Sequence, residues 1–381
     1  MRERLPTVPA LAARGARVIR FAFLLAGVAI VAAAQTAAAQ DWQAGAGPGW
    51  QGVVDAAKKE AHVAVVGPPE LAVVVADGFL KDTGIEVDYL GGVAAANAAR
   101  VSREVRAGNV TVDAMFTGTA ELPLVKQGFF EDESAKLLLP GASDPKNWSG
   151  GALKWVDNDR RYMLQTQASV TSTPFYDANA AGPGELTSWH DLLDPKFKGK
   201  IVAYDPRAGG PGQQMVGYIG ALFGIDFLKS IYLGQQVVYS QDSRQMAEWV
   251  SRGVHAIALG VLTPDYVRLH EAGLTNFVVA SLKDGPGTLS GGFSVVLLPK
   301  GAPHPNAQTV FLNWIASRPG QEIYSQVERQ PSRRVDVQDP AIVDFTIPKP
   351  GLNYLDQYTE DWALNQRTKI IEAVLEALGG R

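Results

Sequence analysis

Apolar and polar positions follow two different periods along the chain, and these periods predict both strands and helices. Short runs rich in valine and isoleucine have the length of buried strands. The stretches between them repeat apolar residues three or four positions apart, as amphipathic helices do. The strands are predicted at residues 62–67, 85–92 and 110–118, and the helices at residues 49–61, 70–84, 94–107 and 120–128. Strands that alternate with helices predict a parallel sheet covered on both faces.

The pattern changes in the second half of the chain. Two long β-type segments, residues 160–177 and 288–305, do not fit strand–helix–strand units, and we interpret them as crossing strands. Residues 240–260 predict a helix followed by a strand, and further helices are predicted at residues 306–320 and 360–380. The predicted fold class is α/β: two lobes, each a mixed, mostly parallel sheet flanked by helices, joined by two crossing hinge strands.

The first forty residues predict a cleavable signal peptide. Arg14, Arg17 and Arg20 precede an apolar run at residues 21–34, and small residues follow it. The alternative is a membrane anchor, but a spanning helix needs about 20 apolar residues. We therefore expect export from the cytoplasm with residues 1–40 removed.

The amino-acid composition excludes several kinds of binding site and binding partner. The chain has no cysteine, which excludes a lipoprotein attached through an N-terminal Cys, disulfides and thiolate metal sites. Without residues 1–40 the formal net charge is −8, which argues against nucleic acid or anionic lipid as a general partner. Without residues 1–40 the chain is still longer than a domain with a single hydrophobic core usually is, which agrees with two lobes.

Candidate binding residues follow the first three predicted strands. In open α/β sheets the ligand crevice lies at the carboxyl ends of the strands. Glycine lets the backbone approach a ligand closely, and threonine adds a hydroxyl. Each loop also has a purely structural interpretation, as a turn or as a helix cap. The candidates are Pro68, Gly91, Gly92, Thr117, Gly118 and Thr119.

A glycine-rich turn at residues 203–218, AYDPRAGGPGQQMVGY, is a candidate for anion binding. The helix that begins near Gln213 would present N–H groups to a ligand, and Arg207 would offer paired hydrogen bonds to carboxylate, phosphonate or phosphate. The alternative is a surface turn that starts a helix. The pattern is neither a Walker A loop nor a dinucleotide-binding turn. The candidates here are Arg207, Gly209, Gly210, Gly212 and Gln213.

The sequence lacks the signatures of a secreted hydrolase, which is the alternative class. It has neither a Gly-x-Ser-x-Gly elbow nor a His-Glu-x-x-His motif, and its five histidines are scattered. We therefore expect a binding protein with no catalytic residues and no cofactor. Further candidate contacts are Thr166 and Gln167 on the first crossing segment, and Thr263 and Tyr266 on a later loop.

Three stretches together make the chain resemble a known family: AAKKEAHVAVVG, WHDLLDPKFKGKIVAYDP and SGGFSVVLLPKGAPHPNAQTVFLNWIASRPGQEIY. Behind a signal peptide, they resemble the periplasmic solute-binding proteins of ABC importers. The most similar subgroup is the ferric-iron-binding-like one, which also takes thiamine, sugar phosphates and phosphonates. The resemblance covers essentially all of the chain after residue 40. It implies a type II periplasmic-binding fold that closes on its ligand and delivers it to a membrane permease.

The resemblance also implies how the chain is divided between the lobes. Lobe one would take residues 41–166 and 290–330, and lobe two residues 167–289 and 331–381. A late loop carrying Arg333 would return to the cleft. The family implies a monomer, and a chemoreceptor could replace the permease as the partner.

Iron binders of this family carry two adjacent tyrosines on the loop after the AIALG-type strand. Here Tyr266 stands alone at that position, preceded by Asp265. The missing tyrosine makes ferric iron the alternative ligand, held by Tyr266 and Asp265 if it binds, and we expect no metal site. The expected ligand is a small organic anion: a phosphate ester, a phosphonate or a carboxylate.

Overall fold

The computed structural model describes residues 42–92, 94–182, 184–208 and 210–379. The predicted signal peptide, residues 1–40, lies outside the described residues, and so does Gly209. No helix among the described residues has both the length and the apolar character needed to cross a membrane.

The helices follow the apolar spacing of the sequence. In α1 (Trp50–Glu60), the buried residues Trp50, Val54 and Ala57 are one turn apart and form one face. The other helices are α2 (Ala72–Thr83), α3 (Ala94–Ala107), α4 (Leu122–Lys126), α5 (Glu133–Lys136), α6 (Pro140–Ser143), α7 (Ala178–Ala181), α8 (Gly210–Phe223), α9 (Ile225–Lys229), α10 (Ser243–Ser251), α11 (Thr263–Glu271), α12 (Pro305–Ile315), α13 (Arg318–Glu328) and α14 (Arg367–Ala377).

The strands are short and form three sheets. They are β1 (His62–Gly67), β2 (Glu86–Gly91), β3 (Ala114–Thr117), β4 (Ser169–Thr171), β5 (Phe175–Asp177), β6 (Ile201–Tyr204), β7 (Val238–Ser240), β8 (Ile257–Leu259), β9 (Phe277–Val279), β10 (Thr288–Ser290), β11 (Val295–Leu297) and β12 (Leu355–Asp356).

The first sheet has the strand order β11-β3-β1-β2. β1 pairs in parallel with β2 and with β3, and Gly67 lies opposite Gly91, so β1 and β2 end at the same level. β11 runs antiparallel to β3, and Val295 lies opposite Thr117. The start of β11 is therefore beside the end of β3, at the carboxyl edge of the sheet.

The second sheet has the order β7-β6-β8-β5-β9 and is also mixed. β6 is parallel to β7 and β8, whereas β5 is antiparallel to β8 and β9. The third sheet has the order β12-β10-β4, with β4 antiparallel to β10. The chain enters the second sheet after β4 and returns to the first after β10. The predicted fold class is confirmed, while the lobe boundaries stay a prediction.

The two long β-type segments are shorter in the structure than the sequence predicted. The first contributes only β4 and β5, because the residues before β4 form a loop. The carboxylate of Asp157 accepts hydrogen bonds from the backbone N–H groups of Arg161 and Met163, both at 2.9 Å, which curls this stretch. The second segment contributes only β10 and β11, separated by a turn in which Gly292 has a φ of 58°.

Candidate functional site

The loops after β1, β2 and β3 meet at the carboxyl edge of the first sheet, as the sequence predicted. Gly92 donates its backbone N–H to the carbonyl of Gly67 at 2.9 Å. The loop before β11 joins them, since a Cβ added to Gly118 would lie 2.9 Å from the carbonyl oxygen of Gly292. The backbones of Gly118 and Gly292 therefore lie too close together for any side chain at position 118.

A cavity of about 470 Å³ lies on the first sheet, beside His62 and His304. A different cavity brings together the loop after β3 and the glycine-rich turn, whereas the candidates Pro68, Gly91, Gly92 and Gly118 do not line it. It has a volume of about 440 Å³ and is lined by four parts of the chain. A neighbouring cavity of about 330 Å³ shares Thr119, Gln213 and Arg367 with it. The residues lining the 440 Å³ cavity are Thr119, Gly210, Pro211, Gln213, Gln214, Ser290, Gly292, Phe293, Gln357, Tyr358, Trp362 and Arg367.

The start of α8 forms one wall of this cavity. The helix begins at Gly210, slightly earlier than the sequence predicted. Gly212 is required there because an added Cβ would lie 2.6 Å from the carbonyl oxygen of Tyr204 and 2.8 Å from that of Asp205. Because Gly212 has no side chain, the first turn of α8 packs directly against the end of β6. The start of a helix carries a partial positive charge.

Arg367, the first residue of α14, lines both cavities. Its side chain is exposed. Among the described residues, its guanidinium forms no hydrogen bond and no ion pair. An arginine in this state keeps its full set of planar donors for a bound anion.

Aromatic side chains form another wall. Tyr358 donates its hydroxyl hydrogen to the carbonyl of Gly292, and burial holds the pKa of this phenol well above its usual value. Tyr358 and Trp362 are both almost fully buried, while Phe293 is half-exposed. The wall is therefore rigid, and the phenol of Tyr358 stays protonated.

Arg207, the arginine predicted from the sequence, has a different partner. Its Nε and Nη2 atoms donate to the two carboxylate oxygens of Asp205 at 2.8 and 2.9 Å. The guanidinium also lies over the ring of Tyr239, 5.0 Å from its centroid. Arg207 lines neither cavity, because a carboxylate two residues away already occupies its donors. It also holds the pKa of Asp205 below the usual value.

The two threonines predicted at the end of β3 have different roles. Thr117 is 1% exposed, and its hydroxyl donates to the buried carboxylate of Glu121. Burial raises the pKa of Glu121. Thr119, two residues later, lines both cavities. Of the two hydroxyls, only that of Thr119 is at the cavity surface.

The candidates on the first crossing segment form hydrogen bonds within the protein, while Gln167 Oε1 has no partner among the described residues. The hydroxyl of Thr166 donates to the carbonyl of Ser294 at 2.9 Å. Gln167 is fully buried, and its Nε2 donates to Ser325 Oγ at 3.4 Å. These contacts connect the crossing segment to β11 and α13, and neither side chain lines the 440 Å³ cavity.

The predicted loop after β8 lies beside a small cavity that shares Pro211 and Gln214 with the 440 Å³ cavity. Thr263 lines this cavity, whose volume is about 60 Å³. The ring of Tyr266 packs 4.0 Å from that of His270 and 5.0 Å from that of Phe345, measured between centroids. Asp265 faces Arg268, with 3.8 Å between oxygen and nitrogen. Among the described residues, no group of three or more His, Asp or Glu side chains has the arrangement of a metal site.

Arg333 lies on a loop that pairs with the first crossing segment. Its backbone N–H donates to the carbonyl of Thr166 at 2.8 Å. Its side chain is half-buried, and burial lowers the pKa of its guanidinium, while the charge of Asp356 raises it. Arg333 therefore lies near the hinge and outside the lining of the 440 Å³ cavity.

A family match agrees with this geometry, in which the cavity lies at strand ends and beside the crossing strands. Residues 75–344 match the family described as bacterial extracellular solute-binding protein. The chain belongs to this family. The resemblance to solute-binding proteins that was inferred from the sequence is confirmed.

One curated relative of this solute-binding protein is a Haemophilus influenzae protein named only as uncharacterized. The two are 29% identical over 139 residues, which cover 35% of this chain and 38% of the Haemophilus protein. The matched stretch therefore spans well under half the length of that relative.

Solved structures of periplasmic binding proteins share the fold. Iron-bound HitA from Pseudomonas aeruginosa is 17% identical, with a TM-score of 0.58 over 83% of this chain and 99% of HitA. AfuA from Actinobacillus pleuropneumoniae, with fructose-6-phosphate bound, is 18% identical, with a TM-score of 0.58 over 84% and 98%. Trichodesmium IdiA (FutA), with iron and citrate, is 18% identical, with a TM-score of 0.63 over 84% and 100%. At this identity the likeness shows the fold alone.

Sequence reasoning missed the part of the site that comes from the end of the chain. Gln357, Tyr358 and Trp362 follow β12, and Arg367 begins the last helix. The available signal was the polar and aromatic stretch DQYTEDW directly before a helix that starts with an arginine. Nothing in that stretch shows that β12 pairs with the second crossing strand, which is what places it at the cavity.

Proposed function

We propose that this protein captures a small organic anion in the periplasm and delivers it to the permease of an ABC importer in the inner membrane. The anionic group binds between Arg367 and the first turn of α8. The rest of the solute lies along Thr119, Phe293 and the other lining residues. A phosphate ester, a phosphonate or a carboxylate has the required chemistry.

The charge of the cavity lining is the observation that carries this proposal. Among the described residues that line the 440 Å³ cavity, only Arg367 is charged. The nearby helix N-terminus adds partial positive charge and unpaired N–H donors. A volume of about 440 Å³ falls within the range of small-molecule pockets, about 300–1,000 Å³. The site thus favours a small solute with negative charge.

The same lining argues against a hydrolase and against ferric iron in this cavity. Neither a histidine nor a carboxylate is among its described lining residues, so the cavity wall offers no general base of the usual kind. Ferric iron prefers anionic oxygen ligands. The one phenol in the described lining, that of Tyr358, donates a hydrogen bond to the carbonyl oxygen of Gly292, and burial raises its pKa.

Closure of the two lobes provides the mechanism. The solute contacts Thr119 at the edge of the first sheet and α8, which follows β6 of the second. A solute that bridges both stabilises the arrangement in which they are close and shifts the population towards it. The closed form would be the one that the permease recognises.

A thermal-shift panel tests the proposal. Exported protein is stripped of bound solute by unfolding and refolding, then mixed with phosphate esters, phosphonates, carboxylates, and ferric iron with and without citrate. A ligand at about 1,000 times its Kd adds about 4 kcal/mol to the free energy of unfolding. Stabilisation by an organic anion, lost in Arg367→Gln, supports the proposal. Stabilisation by iron alone, unchanged in Arg367→Gln, contradicts it.

A further inference from the structure

A second group of polar side chains lies at the carboxyl edge of the first sheet, apart from the cavity lining. It consists of Glu70, Tyr89, Tyr324 and Glu328, and we call it the carboxylate–phenol cluster. Glu70 follows β1 and Tyr89 lies near the end of β2. Tyr324 and Glu328 are one turn apart at the end of α13 and therefore share a face of that helix.

Two polar atoms in this cluster are buried without a partner. Tyr324 is 1% exposed, and its hydroxyl has no hydrogen-bond partner among the described residues. The same is true of Glu328 Oε1, which is also buried. A buried polar group without a partner is unfavourable, so these two acceptors are open to a donor that the described residues do not supply.

The cluster also carries negative charge that nothing in the described structure neutralises. Neither Glu70 nor Glu328 forms an ion pair among the described residues. Burial and the charge of Glu70 raise the pKa of Glu328 to about 7. Burial, and after it the charges of Glu328 and Glu70, raise the pKa values of the phenols of Tyr89 and Tyr324 well above their usual range. A cation bound beside the cluster would neutralise its negative charge and counteract the raised pKa values.

The cluster borders the proposed solute cavity. Gln330, two residues after Glu328, packs against Gly292 of the cavity wall, because a Cβ added to Gly292 would lie 2.9 Å from Gln330 Nε2. Tyr358, also in that wall, lies close enough for its charge to raise the pKa of Tyr324. The four cluster residues do not themselves line the cavity, and Gln330 and Tyr358 connect them to its wall.

We propose that the carboxylate–phenol cluster binds the ammonium group of the same solute whose anionic group is held by Arg367, so that the solute is zwitterionic. This inference rests on the proposed function. An ammonium group donates up to three hydrogen bonds. The carboxylate of Glu328 and the hydroxyl oxygen of Tyr324 accept two of them. Glu70, exposed at the edge of the cluster, adds attraction for the positive charge.

Matched pairs of probes test the inference. Each ω-aminoalkyl phosphonate and ω-amino carboxylate, in a series of increasing length, is compared with the probe of the same length that lacks the amine. We expect at least one aminated probe to bind ten- to a hundredfold more tightly than its match, the effect of a charged hydrogen bond. Equal binding of every pair overturns the inference. Binding of probes without the amine tests the proposed function separately.

Three variants locate the effect on the cluster. Glu328→Gln and Tyr324→Phe should remove the preference for the aminated probe while keeping the affinity for its match. Glu322→Gln, on the exposed face of the same helix where Glu322 pairs with Arg318, should keep the preference. A preference that survives Glu328→Gln overturns the inference. Stabilisation by ferric iron or calcium that Glu328→Gln abolishes also overturns it, in favour of a metal site.

Proton release gives an independent measurement. The titratable groups around the amine would be the carboxylates of Glu70 and Glu328 and the phenols of Tyr89, Tyr324 and Tyr358. Glu328 has a pKa of about 7 in the free protein, and a bound cation lowers it. Calorimetry near pH 7 in buffers of different ionisation enthalpy should show proton release with the aminated probe, and none with its match or in Glu328→Gln. No release in the wild-type protein contradicts the inference.

Discussion

Two arginines that sequence reasoning would treat alike have opposite surroundings. Arg207 uses its donors on Asp205, whereas the guanidinium of Arg367 is unpaired among the described residues and lines the cavity. We predict that Arg367→Gln weakens solute binding about 10- to 150-fold, since a charged hydrogen bond is worth about 1.5–3 kcal/mol. Isothermal titration calorimetry with the anion found in the thermal-shift panel measures the change.

Arg207→Gln is the matched control for that prediction. It removes an ion pair at the surface, which contributes about 0–1 kcal/mol to stability, and should leave the affinity unchanged. If Arg207→Gln weakens binding and Arg367→Gln does not, the anion is held on the other side of the α8 turn, as the sequence alone suggested.

Glu328 predicts a pH dependence of stability. Its pKa of about 7 in the folded protein lies above the usual carboxyl value of 4.5. The folded state therefore holds this proton more tightly than the unfolded state, and Glu328 lowers the stability as the pH rises from about 4.5 through 7. The loss is at most about 3 kcal/mol, because one pKa unit corresponds to about 1.4 kcal/mol and Glu328 is only half-buried.

Melting temperatures from pH 4.5 to 8.5, without solute, check this prediction. Glu328→Gln should match the wild-type protein at the acid end and become more stable than it above pH 7. A difference between the two proteins that stays constant with pH would show that Glu328 titrates normally.

At the scale of the helices, the start of α8 depends directly on one glycine. A Cβ at Gly212 would meet backbone atoms of residues 204 and 205 at 2.6–2.8 Å, and backbone cannot move aside as a side chain can. We predict that Gly212→Ala lowers the free energy of unfolding by about 1–3 kcal/mol, the usual cost of overpacking, and weakens anion binding because the first turn of α8 shifts. Denaturant unfolding measures the first effect and calorimetry the second.

Gly52→Ala provides the control in another helix. A Cβ at Gly52, inside α1, would meet nothing within 4 Å. Alanine there should raise stability by about 0.5–1 kcal/mol, since glycine is the poorer helix former. Equal effects of the two substitutions would mean that the contact of α8 with β6 is not tight.

Local periodicity was enough to predict the strand–helix units of the first sheet. Each of them buries one face, so spacing and composition carry the signal. The first crossing segment shows where this fails. Its β-type composition predicted one long strand, but the carboxylate of Asp157 curls the chain, and Gln167 forms only an isolated bridge with Ser332. The bonds of Asp157 are local but leave no periodic signal, and the bridge to Ser332 joins distant parts of the chain, so a single sequence reveals neither.

The candidate site was likewise predictable only where local sequence patterns determine it. Strand ends and the glycine turn come from local patterns, and Thr119, Gly210 and Gln213 do line the cavity. Arg367 was missed because its place depends on the pairing of β12 with β10, more than sixty residues earlier in the chain. The role of Arg207 stays a prediction: Asp205 accepts hydrogen bonds from two of its nitrogens, and Arg207 lines neither cavity.

Closure depends on the two crossing strands, which pair through Thr171 and Thr288. Gly287, at their junction, has a φ of 123°, and a Cβ there would lie 2.5 Å from the carbonyl oxygen of Thr171. We predict that solute binding reduces the radius of gyration in small-angle X-ray scattering. Gly287→Ala should weaken binding although no lining residue changes, because strain at the hinge opposes the closed form. An unchanged radius of gyration at saturating solute would mean that capture requires no closure, and Gly287→Ala should then bind as tightly as the wild-type protein.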